Sequence, residues 1–426
     1  MASSNPEHGL RRRLFRNLTL QTFSQGIGIV TSILSVAVLA HTLEVEAFGA
    51  YNFLFTFIVF FLSFNDLGIP TTLLREITQM PAKTEELVQS IIGLRLVMAL
   101  LSIAVGFGVV LWLGLPPAYR LPQLVYLLIL PVQAFATPLV ILQSRVHMGR
   151  MVAVELTNRL GGFAAMLLAV WCGGGLLWIT VSLVVGEIAG TLVVVASTWQ
   201  VAAPRPRFDV RIWRQIVRMS LPLSGTSLLT VLLNRIDMVL LQKMSPTPEI
   251  GLTRVSYYGS AYRVPNLCER LPLMMMGTIF PMMITYAAND IAALRRLYKE
   301  TLLHLSLLAV PMAVAVTIAA PYVVRAWIGE QYMPVVPLMR ALIWASALLY
   351  VALPPANVLI AMRRQKINFW MMVPATALNI GLNLVLIPKY GAIGAAWATV
   401  AAYAFLAAGY LIAAPVVLSS AGESRP

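Results

Sequence analysis

Leu378-Asn379-Ile380-Gly381-Leu382-Asn383-Leu384-Val385-Leu386-Ile387-Pro388-Lys389-Tyr390-Gly391-Ala392-Ile393-Gly394-Ala395-Ala396-Trp397-Ala398-Thr399 reads as an apolar helix, a tight turn and a second apolar helix. Asn379 and Asn383 stand four apart, so they share one helix face. Pro388 and Gly391 are expected to stop the first helix and open the second. Lys389 and Tyr390 suit the boundary between hydrocarbon and water. Gly394 and Ala398 give a small-xxx-small face for close packing in lipid.

Runs of this kind recur from end to end. Apolar residues make up 59% of the 426 and charged residues 11%, and the mean hydropathy is +0.80. A soluble domain carries about 25% charged residues, so an integral membrane protein is expected. Twelve runs approach the ~20 residues a helix needs to cross a bilayer: 17–40, 48–68, 87–112, 122–144, 157–173, 176–199, 217–241, 255–287, 301–327, 335–361, 367–388 and 392–418. They lack the period-two alternation of barrel strands. The apolar run after residue 16 is too long for a signal-peptide core and reads as a first span. Cys172 and Cys268, the only cysteines, supply neither a disulfide framework nor a metal cluster.

The net charge of +14 is distributed unevenly. With the N-terminus inside, the cytoplasmic segments hold twenty-one lysines and arginines, including Arg11, Arg12, Arg13, Arg16 and Arg425. The outer loops hold only Arg120, Lys243, Arg254, Arg325 and Lys389. That bias predicts an even number of spans with both termini in the cytoplasm. It also accounts for most of the basicity without nucleic acid.

The longest polar connector, Gln200 to Met219, falls near the middle. It divides the chain into an N-terminal six-helix bundle (1–200), a cytoplasmic linker (201–216) and a C-terminal six-helix bundle (217–426). Both halves open with a basic segment and a helix whose first part is small and polar. In one half the residues are Gln21, Thr22, Ser24, Gln25, Gly26 and Gly28; in the other they are Ser220, Ser224, Gly225, Thr226 and Ser227. Each helix ends in an acidic turn followed by aromatics: Glu46 and Tyr51, then Glu249 with Tyr257 and Tyr258. The repeated order in one orientation predicts parallel repeats.

The pattern N-x-x-x-N followed by L-I-P-x-Y-G-x-x-G-A-A-x-A-T resembles a hairpin of the Wzx-like polysaccharide flippases, in the multidrug/oligosaccharidyl-lipid/polysaccharide exporter superfamily. Ala40 to Tyr51 and Asn65-Asp66-Leu67-Gly68 look like that family's opening. Asn234-Arg235-Ile236-Asp237 and Tyr258-Gly259-Ser260-Ala261-Tyr262-Arg263 are similar to the start of its second half, although Gly251 and Tyr257 are spaced more widely than its usual G-x-Y. The resemblance implies an all-α, polytopic membrane protein of about twelve transmembrane helices in two six-helix bundles around a central cavity. It implies a flippase that moves a polyprenyl-pyrophosphate-linked oligosaccharide from the inner to the outer leaflet of the cell inner membrane by alternating access. The expected partners are that lipid, membrane lipids, a polysaccharide polymerase and glycosyltransferases.

Ionisable side chains inside a bilayer cost about 2.5–3.5 kcal/mol each on insertion scales and need a reason. The spans enclose Arg95, Arg235, Arg263, Arg270 and Arg340, of which Arg340 can snorkel. They also enclose Asp66, Glu187, Asp237 and Glu269, and Asp66 lies near enough to an end to snorkel too. Arg263 and Arg270, seven apart, are expected on one helix face, ~10.5 Å apart along the axis. With Arg235 and Arg95 they are the candidate ligands for a pyrophosphate, because a guanidinium fork stays charged and grips phosphate bidentately. Ion pairing between helices, such as Asp237 with Arg263, is the other reading. Asn379 and Asn383 either touch sugars or bond a neighbouring helix. Asp237, Glu187 and Asp66 are candidate cation or proton sites, or partners for the arginines. Pro265, Pro272 and Pro281 are expected to kink the eighth span.

A basic cavity favours the flippase over a cation-coupled multidrug or metabolite exporter on the same scaffold, which would be lined by acids and aromatics. A membrane-bound glycosyl-transfer enzyme would carry a long outer loop with catalytic acids or histidines. His8, His41, His147 and His304 are scattered, and neither paired carboxylates, a Gly-rich phosphate loop nor metal spacing occurs. No enzyme activity, cofactor or metal is expected.

Overall fold

The computed structural model describes the backbone of residues 6–145 and 148–423, and side chains between residues 23 and 420 except 146–148, 222 and 223. Arg425, His147 and the side chains of His8, Arg11, Arg12, Arg13, Arg16, Gln21 and Thr22 lie outside the described residues. Within them the chain forms seventeen α-helices and no strand. Two compact units result. One comprises Met1–Ala47 and Phe57–Ser224, the other Phe48–Thr56 and Gly225–Pro426.

Unit 1 contains α1 (Pro6–Thr42), most of α2 (Val45–Asp66), α3 (Ile69–Gln79), α4 (Thr84–Leu113), α5 (Pro117–Tyr126), α6 (Ile129–Phe135), α7 (Leu139–Ser144), α8 (Met148–Trp171), α9 (Leu176–Thr198) and the start of α10 (Val210–Lys243). Unit 2 takes Phe48–Thr56 of α2, the rest of α10, α11 (Pro248–Ala261), α12 (Arg263–Cys268), α13 (Arg270–Asn289), α14 (Ile291–Trp327), α15 (Val335–Ala361), α16 (Gln365–Tyr390) and α17 (Ala392–Glu423). Among the described residues, eleven helical stretches are long and apolar enough to cross a bilayer. The predicted span 122–144 is not one of them, because it is broken into α5, α6 and α7. With that broken passage the count reaches twelve.

Proline explains the break. Pro138 has no N–H for the carbonyl of Ala134, four residues back. That oxygen accepts instead from Thr137, through its N–H at 3.2 Å and its Oγ1 at 2.6 Å. The eighth span is interrupted in the same way, at Tyr262 and Glu269, so it is three helices rather than the single rod expected. Pro272 frees the carbonyl of Cys268, and Tyr350 Oη donates to it at 2.7 Å. Arg263 and Arg270 therefore open two different helices, Arg263 partly buried and Arg270 exposed. The continuous two-arginine ladder is corrected to two separate positions.

A third break lies at Leu67 and Gly68, both left-handed (φ 38° and 70°), within the quoted Asn65-Asp66-Leu67-Gly68. Leucine pays a steric cost there. Ser224 Oγ, from the polar start of α10, donates to the exposed carbonyl of Leu67 at 2.6 Å, and Ser220 Oγ donates to Thr72 Oγ1 at 2.8 Å. The small polar run of α10 thus serves packing against the α2–α3 break.

The hairpin that opened the reading is present. Pro388 does not stop α16, which continues to Tyr390; Gly391, at φ 61° and ψ −136°, makes the turn. A Cβ on Gly394 would come 2.5 Å from the carbonyl oxygen of Leu386, so only glycine permits this approach of α17 to α16. The connector after α9 is held against α4, with Arg207 N–H on Gln89 O at 3.0 Å and Trp213 Nε1–H on Ser90 O at 2.7 Å.

Candidate functional site

In unit 2 the buried charges meet neutral partners. Asp237, fully buried on α10, accepts at Oδ2 from the hydroxyls of Tyr258 (2.5 Å), Tyr262 (3.3 Å) and Thr399 (3.4 Å). Its Oδ1 accepts from the Met238 N–H at 2.8 Å. Tyr258 and Tyr262 stand four apart, so helical spacing delivers both hydroxyls to one carboxylate. The ion pair of Asp237 with Arg263 weighed from the sequence does not form.

Arg263 donates instead from Nη2 to Asn52 Oδ1 at 2.9 Å. Asn52 comes from the piece of α2 that belongs to unit 2, and it is itself buried. Arg235, two residues before Asp237, acts electrostatically on Asp237, Arg263 and Glu269 together. Glu269 accepts from Ser346 Oγ at 2.6 Å. Among the described residues, Arg235, Arg263 and Arg270 take part in no ion pair. A guanidinium held by neutral groups keeps its whole charge for an incoming anion.

Unit 1 treats its charges differently. Arg95 is buried, paired with Asp66, and donates from Nη1 to Gln133 O and Thr137 Oγ1, both at 3.3 Å. Those acceptors lie beside the α6–α7 break. Asp66, half exposed near the end of α2, is Arg95's partner. Arg95 lines a cavity of about 220 Å³ that also reaches Glu187. A neighbouring cavity of about 300 Å³ is lined by Glu155, Asn158, Glu187 and Thr191 among apolar side chains. Glu155 is paired with Arg159 at 2.7 Å and accepts from Ser24 Oγ at 2.8 Å. Among the described residues, Glu187 accepts from Asn158 Nδ2 alone, at 2.6 Å.

Asn379 and Asn383 are wholly buried, and Asn383 Nδ2 donates to Asn379 at O (2.9 Å) and Oδ1 (3.1 Å). That is polar packing within one helix, as the shared face implies. Sequence reasoning passed over Asn52, Thr399, Asn158 and Thr191. Each is a neutral residue whose importance depends on a distant charge, and nothing local marks it.

The sequence matches the family described as polysaccharide biosynthesis protein over residues 11–287. The chain belongs to that family. Among solved structures, it resembles a multidrug resistance MATE-family transporter of the MOP superfamily in its inward-facing conformation, with TM-score 0.77 and 12% identity over 96% of this chain and 100% of that one. It also resembles the lipid II flippase MurJ in its inward closed conformation, with TM-score 0.76 and 13% identity over 94% and 89%. An outward-facing MATE-family transporter follows at TM-score 0.61 and 15% identity over 97% and 96%. At such identities the likeness is one of fold: a membrane transporter architecture. No curated protein matches the sequence.

Proposed function

We propose that this protein translocates a polyprenyl-pyrophosphate-linked oligosaccharide from the inner to the outer leaflet of a bacterial inner membrane, with both termini cytoplasmic. The observation that carries the reading is the trio Arg235, Arg263 and Arg270, placed in spanning segments of unit 2 without carboxylate partners among the described residues. Uncompensated guanidinium groups at that depth are costly, and an anionic ligand offsets the cost. A lipid pyrophosphate matches their fork geometry. Membership of a polysaccharide biosynthesis family supports the sugar cargo, and supports a polymerase and glycosyltransferases as partners. Arg95, already engaged by Asp66, takes a lesser part.

Asp237 and Glu187 are proposed as coupling carboxylates, since each is held by neutral donors. Asp66 is the poorest of the three candidates because Arg95 engages it. The fold is shared with MATE-family transporters, and these two acids support a second reading, cation-coupled export of a small molecule.

Reconstitution decides between the two. Proteoliposomes containing a labelled polyprenyl-pyrophosphate sugar are scored for its arrival in the opposite leaflet. Arg263→Ala with Arg270→Ala should abolish translocation while membrane insertion persists. Normal flipping by that variant would remove the arginines from the site. Absence of flipping by the wild type, with export of a cationic dye, would favour the second reading.

A further inference from the structure

We infer that the first turns of α10 and the connector before them form a docking surface for anionic phospholipid headgroups, with Arg205, Arg211, Arg214 and Arg218 as the phosphate contacts. The ligand is bulk membrane lipid rather than cargo, so the inference does not rest on the proposed translocation.

The argument starts from depth. α10 begins at Val210 and continues without a break into a spanning stretch, Ser224–Lys243. Its early residue Ile216 shares a buried cluster with Leu87, Val88 and Ile91 of α4, and Ile212, Trp213 and Val217 pack against that cluster. Those α4 residues lie in its first turns after Thr84, where Glu85, Glu86 and Gln89 give way to the apolar span. The start of α10 is therefore level with the edge of the membrane, where headgroups lie.

The charges share a face. Arg211, Arg214 and Arg218 follow at three and four residues, so they form one stripe ~10.5 Å long. All three are exposed, as is Arg205. None of the four takes part in an ion pair among the described residues, whereas Arg207 is held by Glu86 at 3.2 Å. Asp209, the one acid of the segment, is occupied with capping α10: its Oδ1 accepts the N–H groups of Arg211 (3.0 Å) and Ile212 (3.3 Å).

The surface is also rigid. Gln89 Nε2 donates to Ala203 O at 3.3 Å, in addition to the bonds from Arg207 and Trp213 described above. A Cβ on Gly93 would come 2.3 Å from Arg207 O, so glycine is what lets the connector lie on α4. Setting the orientation of a membrane protein needs only positive charge in a loop. A clamped connector and an aligned stripe go beyond that need.

The ligand class follows from what surrounds the arginines. Phe208 is 65% exposed and Val210 69%, and Leu221 lies on the same face as Val210 and Arg214. Apolar side chains exposed at headgroup depth meet acyl chains, while the guanidinium groups beside them grip phosphate. Clusters of four or more basic residues next to a spanning helix attract anionic lipid, at about fivefold in affinity for each residue. An acidic protein partner would not call for apolar side chains level with the start of a span.

The test reads radiolabelled phosphatidylglycerol retained by the purified full-length protein in a neutral detergent, with phosphatidylcholine as the uncharged comparison. Wild type should prefer phosphatidylglycerol, and the preference should fall as salt rises. Arg211→Gln, Arg214→Gln and Arg218→Gln together should weaken retention about a hundredfold. Lysine at the same three positions should keep most of it, and this variant serves if the glutamines disturb folding. Arg363→Gln, Arg364→Gln and Lys366→Gln remove the same charge from exposed residues at the α15–α16 turn, and should cost no more than about fivefold. Equal losses from the two triple variants would reduce the effect to net charge and overturn the inference. Displacement of the lipid by inorganic phosphate at constant ionic strength would overturn it in favour of a soluble anion. Tighter retention of polyglutamate than of phosphatidylglycerol would overturn it in favour of an acidic protein.

Discussion

Arg95 and Arg263 make the most useful comparison in this molecule. Both are arginines in spanning segments, one in each unit. Arg95 meets a carboxylate, a hydroxyl and a carbonyl, and its charge is cancelled where it stands. Arg263 meets the amide oxygen of Asn52, which takes one hydrogen bond and cancels nothing. The acids divide in the same way. Asp66 and Glu155 sit in ion pairs, while among the described residues Asp237 and Glu187 accept only from neutral groups. A buried ion pair cements helices, whereas a charge held by dipoles still projects a field. The identity of the partner, more than depth in the membrane, is therefore the mark by which the proposed functional charges are chosen.

The largest effect should come from removing the uncancelled arginines. Arg235→Ala with Arg263→Ala should cut translocation about a hundredfold or more, if each forfeits a charge-assisted bond worth about 1.5–3 kcal/mol. Thermal stability should change little, because no ion pair is broken. Lysine at both positions should restore a fraction of activity, keeping charge without the planar fork. The measurement is leaflet transfer in proteoliposomes alongside an unfolding curve. A double-alanine variant that unfolds easily but flips normally would place Arg263 with Arg95.

Much of the fold was open to a reader of the sequence, because a membrane span writes itself in consecutive residues. Composition, charge alternation and the Gly394 face all act locally. The interrupted passages were half legible. Pro265 and Pro272 mark one, whereas the run 122–144 reads as continuous by hydropathy although Pro131 and Pro138 lie in it. The site was legible only as a set of charges. Whether Asp66 faces water or Arg95 is a contact across 29 residues, and Thr399 reaches Asp237 across 162. Hydropathy has no means of recording such meetings. Glu155 and Arg159 carry the spacing of any exposed helical pair, so nothing local marks them.

Next in size is the pair itself. Asp66→Ala strands a buried guanidinium, for which about 3–5 kcal/mol is usual. The Asp66 side chain is 49% exposed, and screening by solvent lowers the expected loss to about 2–3 kcal/mol. Arg95→Met combined with Asp66→Leu should recover most of that loss, since no lone charge remains. Chemical or thermal unfolding in detergent reads both variants. If the double variant is no better than the single one, Arg95 is needed for more than its pairing.

A smaller effect is expected around Asp237. Tyr258→Phe removes the shortest of its hydroxyl donors and should cost about 1.5–3 kcal/mol, the value of a bond to a charged group. Thr399→Val removes the longest, at 3.4 Å, and should cost under about 1 kcal/mol. Equal losses from the two would mean that the hydroxyls act as one network rather than as ranked donors.

The smallest effect concerns the asparagines of the opening hairpin. Asn383 bonds Asn379 within α16, while Asn379 Nδ2 and Asn383 Oδ1 have no partner among the described residues. Asn383→Leu deletes two bonds within one helix and one unsatisfied oxygen, and adds apolar volume of similar size. Polar contacts inside membrane proteins average about 0.6 kcal/mol, so stability should shift by no more than that in either direction. Translocation should stay within about threefold of wild type on the same scale. Both measurements are needed, because they separate two kinds of polar group. A stable variant with translocation reduced tenfold would mean that α16 turns its asparagine face to the cargo. The functional half of the comparison would then include neutral residues, and charge would no longer suffice to find the site.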